Sequence, residues 1–175
     1  MPRRTLPAQH PANRQPDAID WLALDHQLCF ALYAASLAMT KTYKPLLAPL
    51  GLTYPQYLAM LVLWEGDGIT VSRLGERLTL DSGTLTPLLK RLAVLGLLQR
   101  RRDPEDERRV LLRLTDAGLA LKARALAVPQ AIACATACDL QQISTLASQL
   151  TALRQQLSAV HIPPTAGPGS PSPRP

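Results

Sequence analysis

The chain has 175 residues, 47% of them hydrophobic but only 4% aromatic, so one domain-sized core can form and must be built mainly from Leu and Ala, which favours helix. Lys and Arg number 19 against 13 Asp and Glu, a net charge of +6 that permits nucleic-acid or acidic-membrane partners. This composition excludes collagen, a chain-long coiled coil and wholesale disorder, and three cysteines are too few for a disulfide-stapled secreted scaffold.

Residues 1–17 hold four prolines and no apolar run, so they do not read as a signal peptide. The longest apolar stretch, near 28–39, is about 12 residues and too short to span a bilayer. A cytoplasmic protein with free thiols and no membrane partner is expected. Ten of the 16 prolines lie in 1–17 and 161–175, which predicts two irregular tails around a folded part at 18–160.

Within that part, 21–47 reads as one long helix that is apolar nearly all round. In so small a chain, burial by a second subunit is the expected way to cover it. Thr53-Tyr54-Pro55-Gln56 has the capping-box pattern and opens a second helix to about Glu65. Gly66-Asp67-Gly68 breaks the chain; Ile69-Thr70-Val71 is a short strand or cap region leading into a short helix to Leu78. Asp81 caps the next helix and Gly96 ends it. Two β-prone pieces follow, 97–101 and 109–114, joined by a polar loop, which predicts a hairpin with a charged tip. A helix from Thr115-Asp116, interrupted or bent near Pro129, precedes a second capping box at Asp139-Leu140-Gln141-Gln142 and a last helix with Leu140, Ile143, Leu146, Leu150, Leu153, Leu157 and Val160 at three- and four-residue steps. The sum is a mainly α chain with a small β-hairpin wing: a winged helix-turn-helix. Its dimerisation helices are expected at 20–47 and 116–160, and its DNA-binding lobe at 52–114.

On the helix capped by Asp81, at about 100° per residue, Leu85, Leu88, Leu89, Leu92 and Leu95 gather in one arc. Ser82, Thr84, Thr86, Pro87, Lys90 and Arg91 occupy the other, with Val94 the one apolar residue among them. Hydroxyls near a helix start and cations along it can meet phosphates and base edges in a major groove. An ordinary solvated face has the same pattern, but the hairpin behind this helix is strongly basic. Residues 81–124 hold ten Lys and Arg against six Asp and Glu. Arg108 at the hairpin tip is placed to enter a minor groove, with Asp106 able to brace it.

Leu52-Thr53-Tyr54-Pro55-Gln56-Tyr57, the run from Asp81 through Leu92, Asp106-Glu107-Arg108 and Leu114-Thr115 resemble the MarR family of regulators. Together with the opening from Leu24 to Tyr33, they most resemble its organic hydroperoxide resistance (OhrR) type, over about 20–158. The resemblance implies a MarR-like homodimer that represses transcription on a pseudo-palindromic double-stranded operator and leaves it when a cysteine is oxidised by an organic hydroperoxide. It implies no enzyme activity and no cofactor.

A free cysteine ionises at about pH 8.5, and only the thiolate reacts quickly with a peroxide, so a sensor needs donors that favour the charged form. No Lys or Arg lies within a turn of Cys29. Tyrosine hydroxyls remain, and the resemblance names Tyr43 and Tyr54; Tyr33, four residues after Cys29, shares its helix face. On one continuous helix Tyr43 stands about 21 Å from Cys29. Either that helix breaks or the tyrosines come from the partner, as the resemblance implies. The resemblance further implies that Cys134 of the other subunit resolves an oxidised Cys29 as a disulfide, the two-cysteine mode, with Cys138 a further or backup thiol.

Other readings remain open at this stage. Cys29 can be a small core residue and the tyrosines plain packing. Cys134 and Cys138 could bind a metal, but the histidines are only His10, His26 and His161, and no four-ligand set is apparent, so no metal is expected. The same fold could be released by a small aromatic ligand. A cysteine peroxidase with Cys29 attacking would leave the basic helix and hairpin unexplained.

Overall fold

The computed structural model describes residues 20–160. The tails expected at 1–17 and 161–175 lie outside the described residues. The described residues divide between Lys41 and Thr42 into two compact units.

The first unit begins differently from the single helix expected at 21–47. A 3₁₀ turn, Leu24–His26, is followed by Gln27 in an extended conformation, and only then does α1 begin, spanning Leu28–Leu47. Asp20 explains the break. Its carboxylate accepts the Leu22 N–H at 3.0 Å, and its carbonyl accepts the Ala23 N–H at 3.1 Å and faces the His26 ring nitrogen at 2.9 Å. Such local bonds compete with the helical ladder. Leu28, Phe30, Tyr33 and Leu37 on α1 are exposed in the single chain.

In the second unit, α2 (Tyr54–Glu65) opens on the expected box: the Gln56 side chain accepts the Thr53 N–H at 2.8 Å. The turn after Gly66 yields both features foreseen there, the strand β1 (Ile69–Thr70) and α3 (Val71–Leu78) capped by Thr70. The helix α4 (Ser82–Val94) follows, capped by Asp81. Gly75 sets the closeness of α3 to α4. A Cβ there would stand 2.9 Å from both the Leu80 carbonyl oxygen and Leu85 Cδ1.

The wing strands are β2 (Leu98–Arg102) and β3 (Val110–Leu114), each starting one residue later than expected. Both pair antiparallel with their neighbours in the order β1-β3-β2, with Arg100 opposite Leu112. Asp67 fixes the root of the wing by accepting the Leu114 N–H at 2.8 Å. Leu47, Met60, Leu63, Leu74, Leu85, Leu89, Leu92 and Leu112 form the sealed centre of the core. Each contributes about 2 kcal/mol by leaving water. Leu95, expected on the packing face of α4, is 43% exposed, because the helix ends there and Gly96 turns the chain away at φ 71°.

The helix expected to be interrupted or bent near Pro129 is interrupted, as α5 (Asp116–Ala125) and α6 (Ala127–Thr136). Proline has no N–H for the carbonyl four residues back and crowds it, so the ladder ends at Ala125, a turn before Pro129 itself. Trp64 Nε1 donates to the Gly118 carbonyl at 2.9 Å and Lys122 Nζ to the Trp64 carbonyl at 3.0 Å, clasping α2 to α5. The second box is present, with Asp139 and Gln142 exchanging bonds of 2.7 and 2.9 Å at the start of α7 (Leu140–Ala159). Leu146, Leu150 and Leu157 leave an exposed apolar row on α7. Among the described residues no single helix is long and apolar enough to cross a membrane.

Candidate nucleic-acid interface and redox centre

The helix α4 divides as its sequence arc requires. Leu85, Leu89 and Leu92 are buried and Leu88 is half-buried, while Ser82, Thr84, Thr86, Lys90 and Arg91 are exposed. Two of the three hydroxyls are already donating: Thr84 to the Asp81 carboxylate at 3.0 Å, and Thr86 to the Ser82 carbonyl at 2.7 Å. Among the described residues the Ser82 hydroxyl makes no hydrogen bond. The Asp81 carboxylate also accepts the Thr84 N–H at 2.9 Å. These bonds from Thr84 hold the Asp81 carboxyl below the ordinary value, so the cap stays charged.

At the wing tip, Asp106 accepts the backbone N–H of Arg108 at 3.0 Å and pairs with the Arg109 guanidinium at 3.2 Å. Asp106 therefore braces Arg108 through its backbone. The Arg108 guanidinium takes no part in an ion pair among the described residues.

Cys29 and Tyr33 lie one turn apart on α1, both exposed. In the second unit, Tyr43 and Tyr54 meet with ring centroids 4.6 Å apart, and Tyr57 joins Tyr43 at 5.9 Å. Tyr57 was missed from the sequence, although its place three residues after Tyr54 on α2 puts it on the same face. Burial raises all three phenols above the ordinary tyrosine value. They stay protonated donors to well above neutral pH. Among the described residues nothing hydrogen-bonds their hydroxyls, and no such unbonded oxygen is sealed from solvent. Cys134 lies in the last turn of α6, and Cys138 beyond it, after Ala137 turns the chain at φ 51°. Both line one open cleft with Asp139 and Gln141.

Residues 41–124 match the family model described as transcriptional regulator SarA/Rot. The organic hydroperoxide resistance transcriptional regulator of Bacillus subtilis is 57% identical over 113 residues, covering 65% of this chain and 77% of that protein. The chain belongs to the MarR/SarA family of winged-helix regulators.

Within the family it is closely related to the redox-sensing repressors OhrR, SarZ and AbfR. The solved structure of reduced AbfR bound to DNA is 35% identical, with a TM-score of 0.64 over 77% of this chain and 93% of that one. AbfR is a protein of Staphylococcus epidermidis. Its disulfide-formed state is 38% identical, with a TM-score of 0.55 over 74% of this chain and 91% of that one. The winged helix-turn-helix expected from the sequence is therefore the fold of a MarR-family regulator.

Proposed function

We propose that this chain works in the cytoplasm as a homodimeric repressor that an organic hydroperoxide releases from its operator through Cys29. The observation that carries this reading is the 57% identity to an organic hydroperoxide resistance regulator in a chain with a cysteine near the start of α1. In the proposed step, the Cys29 thiolate attacks one peroxide oxygen. An S–O bond forms, the O–O bond breaks, and the alcohol leaves as the sulfur becomes a sulfenic acid. The Cys134 thiol of the second subunit then attacks that sulfur and expels water, giving an intersubunit disulfide. Cys138 stands by as a further thiol.

Tyr43 and Tyr54, with Tyr33 lining the pocket, are proposed to stabilise the thiolate. α1 includes both Cys29 and Tyr43 without a break, which supports tyrosines supplied across the dimer rather than by a kinked helix. The exposed apolar residues of α1 and α7 support the same dimer. The proposed domain division is the one expected from sequence: dimerisation by 20–47 and 116–160, DNA binding by 52–114. Ser82, Thr84, Thr86, Lys90 and Arg91 face the major groove and Arg108 the minor groove, with Asp106 holding the wing tip. The disulfide moves the two lobes so that their reading helices no longer fit grooves about 34 Å apart.

Fluorescence anisotropy with reduced protein and DNA from upstream of its own gene tests the reading. Cumene hydroperoxide is expected to release the DNA at lower dose than hydrogen peroxide, with binding restored by dithiothreitol. Tight binding that ignores both oxidants, or release that persists in Cys29→Ser, would overturn the thiol mechanism and leave a repressor governed by another ligand.

A further inference from the structure

The start of α3 and the inner side of the wing enclose a cleft of about 430 Å³ lined by Ser72, Arg100, Arg108 and Arg109. We propose that this cleft seats one backbone phosphate of the bound DNA, between the major groove read by α4 and the minor groove entered by the wing tip. The proposal rests on the DNA-binding reading above and assigns Arg100, Ser72 and Arg109, which that reading leaves unused.

Three guanidinium groups line the cleft, and the carboxylate bonded to them is Asp106, paired with Arg109 alone. Arg100 and Arg108 take no part in an ion pair among the described residues. The neighbouring cation on α3, Arg73, is already neutralised by Glu76 at 2.9 Å. The cleft thus holds uncompensated positive charge beside the Ser72 hydroxyl, which makes no hydrogen bond among the described residues. A singly charged oxyanion with several acceptor oxygens matches that set.

The placement of Arg100 argues for a phosphate rather than a base edge. Strand alternation puts it on the same side of β2 as buried Leu98, and it pairs with Leu112, which is sealed in the core. It therefore stands at mid-strand, set back from the tip. Arg108, at the tip, can swing out to the minor groove and leave the seat to Arg100, Ser72 and the Asp106-held Arg109. A phosphate held at this place fixes how deep the wing enters whatever the sequence beneath it.

The test is anisotropy with the full-length reduced protein on the operator and on a scrambled duplex, across a salt series. Arg100→Ala is expected to weaken both about tenfold and to lower the salt slope by about one, leaving the ratio of the two affinities unchanged. Operators carrying one neutral methylphosphonate at a time then locate the seat. At one phosphate per half-site the wild type is expected to lose affinity and Arg100→Ala to lose several-fold less, the remainder coming from Ser72 and Arg109. Arg100→Lys, which keeps the charge without the fork, should recover part of the binding and the slope. Arg100 is exposed, and an unchanged circular dichroism spectrum excludes a folding defect. A variant that binds like wild type, that loses only operator discrimination, or that stays as sensitive as wild type to every methylphosphonate would overturn the seat while leaving the repressor reading intact. Failure of the wild type to bind any DNA would overturn both.

Discussion

Asp106 does two things at the wing tip that a charge count would not separate. Its negative charge opposes DNA, yet it holds the Arg108 backbone and the Arg109 side chain. If net charge governed binding, Asp106→Ala would strengthen it. If geometry governs, the tip loosens and affinity falls by a few-fold despite the added positive charge; competition binding on the operator decides between them. The tyrosines allow a second residue-scale prediction. A hydrogen bond to a charged group is worth about 1.5–3 kcal/mol, so Tyr54→Phe is expected to slow Cys29 oxidation about tenfold or more in single-turnover stopped flow. An unchanged rate would return Tyr54 to plain packing. Much at this scale was legible. The cap at Asp81, the arc of α4 and the basic tip follow from spacing alone. The inward turn of the Thr84 and Thr86 hydroxyls was not legible, because a rotor's choice of partner depends on coordinates. Nor was Arg100, one of three adjacent arginines until strand alternation singled it out.

At the scale of elements, the late start of the first helix departs from expectation and the break near Pro129 agrees with it, both for local reasons. The Asp20 network cost the first helix its opening turns, and the break at Ala125 shows that proline acts on the carbonyl four residues back. Close approaches between elements were invisible to periodicity, since a glycine's neighbours come from distant sequence. Gly118 is the strictest. A Cβ there would come within 2.1 Å of the Leu97 carbonyl oxygen, where β2 is entered and α5 begins. Its own carbonyl accepts from Trp64 and its N–H donates to the Thr115 cap hydroxyl, so the backbone is held from both sides. Gly118→Ala is expected to destabilise the protein by about 3 kcal/mol, the upper end for overpacking. Urea midpoints compared with Gly66→Ala, where a Cβ meets nothing within 4 Å, provide the control. Equal midpoints would mean that α5 can step away from the wing without penalty.

For the whole molecule, the tyrosine cluster predicts a pH dependence with a definite sign. Burial raises Tyr43, Tyr54 and Tyr57, and for Tyr43 and Tyr57 the neighbouring phenols add to it. A phenol harder to ionise folded than unfolded holds its proton more tightly in the native state. Stability is then complete below the unfolded value of about 10 and falls as pH rises through the raised native values. Urea midpoints from neutral pH to about pH 11 should show this decline, and Tyr43→Phe should flatten it. A profile equally steep in that variant would assign the loss to other groups. The neutral range in which the sensor works lies far below the decline, so the cluster can donate to a thiolate without endangering the fold.

The proposed disulfide crosses between subunits, and that connectivity can be separated from a bond within one chain by mixing two inactive variants. A Cys29→Ser homodimer lacks the sensing thiol, and a Cys134→Ser homodimer lacks the resolving one, so neither can close the bond. In a heterodimer of the two, each chain still lacks one partner, and a disulfide within either chain remains impossible. Between chains, however, Cys29 of one subunit and Cys134 of the other are both present, once per dimer. Co-expressed variants bearing different tags, treated with cumene hydroperoxide, should therefore give a cross-linked band on non-reducing gels that contains both tags and disappears on reduction, with one bond per dimer where wild type can form two. The same heterodimer should lose operator affinity on oxidation, if one closed bond suffices to misplace two lobes that must fit the DNA together. Cross-linking in the Cys134→Ser homodimer would implicate Cys138 as the resolving thiol, whereas cross-linking in the Cys29→Ser homodimer would show a bond that does not involve Cys29. Absence of cross-linking from the mixture would place the bond within a chain and remove the reason for a sensor that exists only in the dimer.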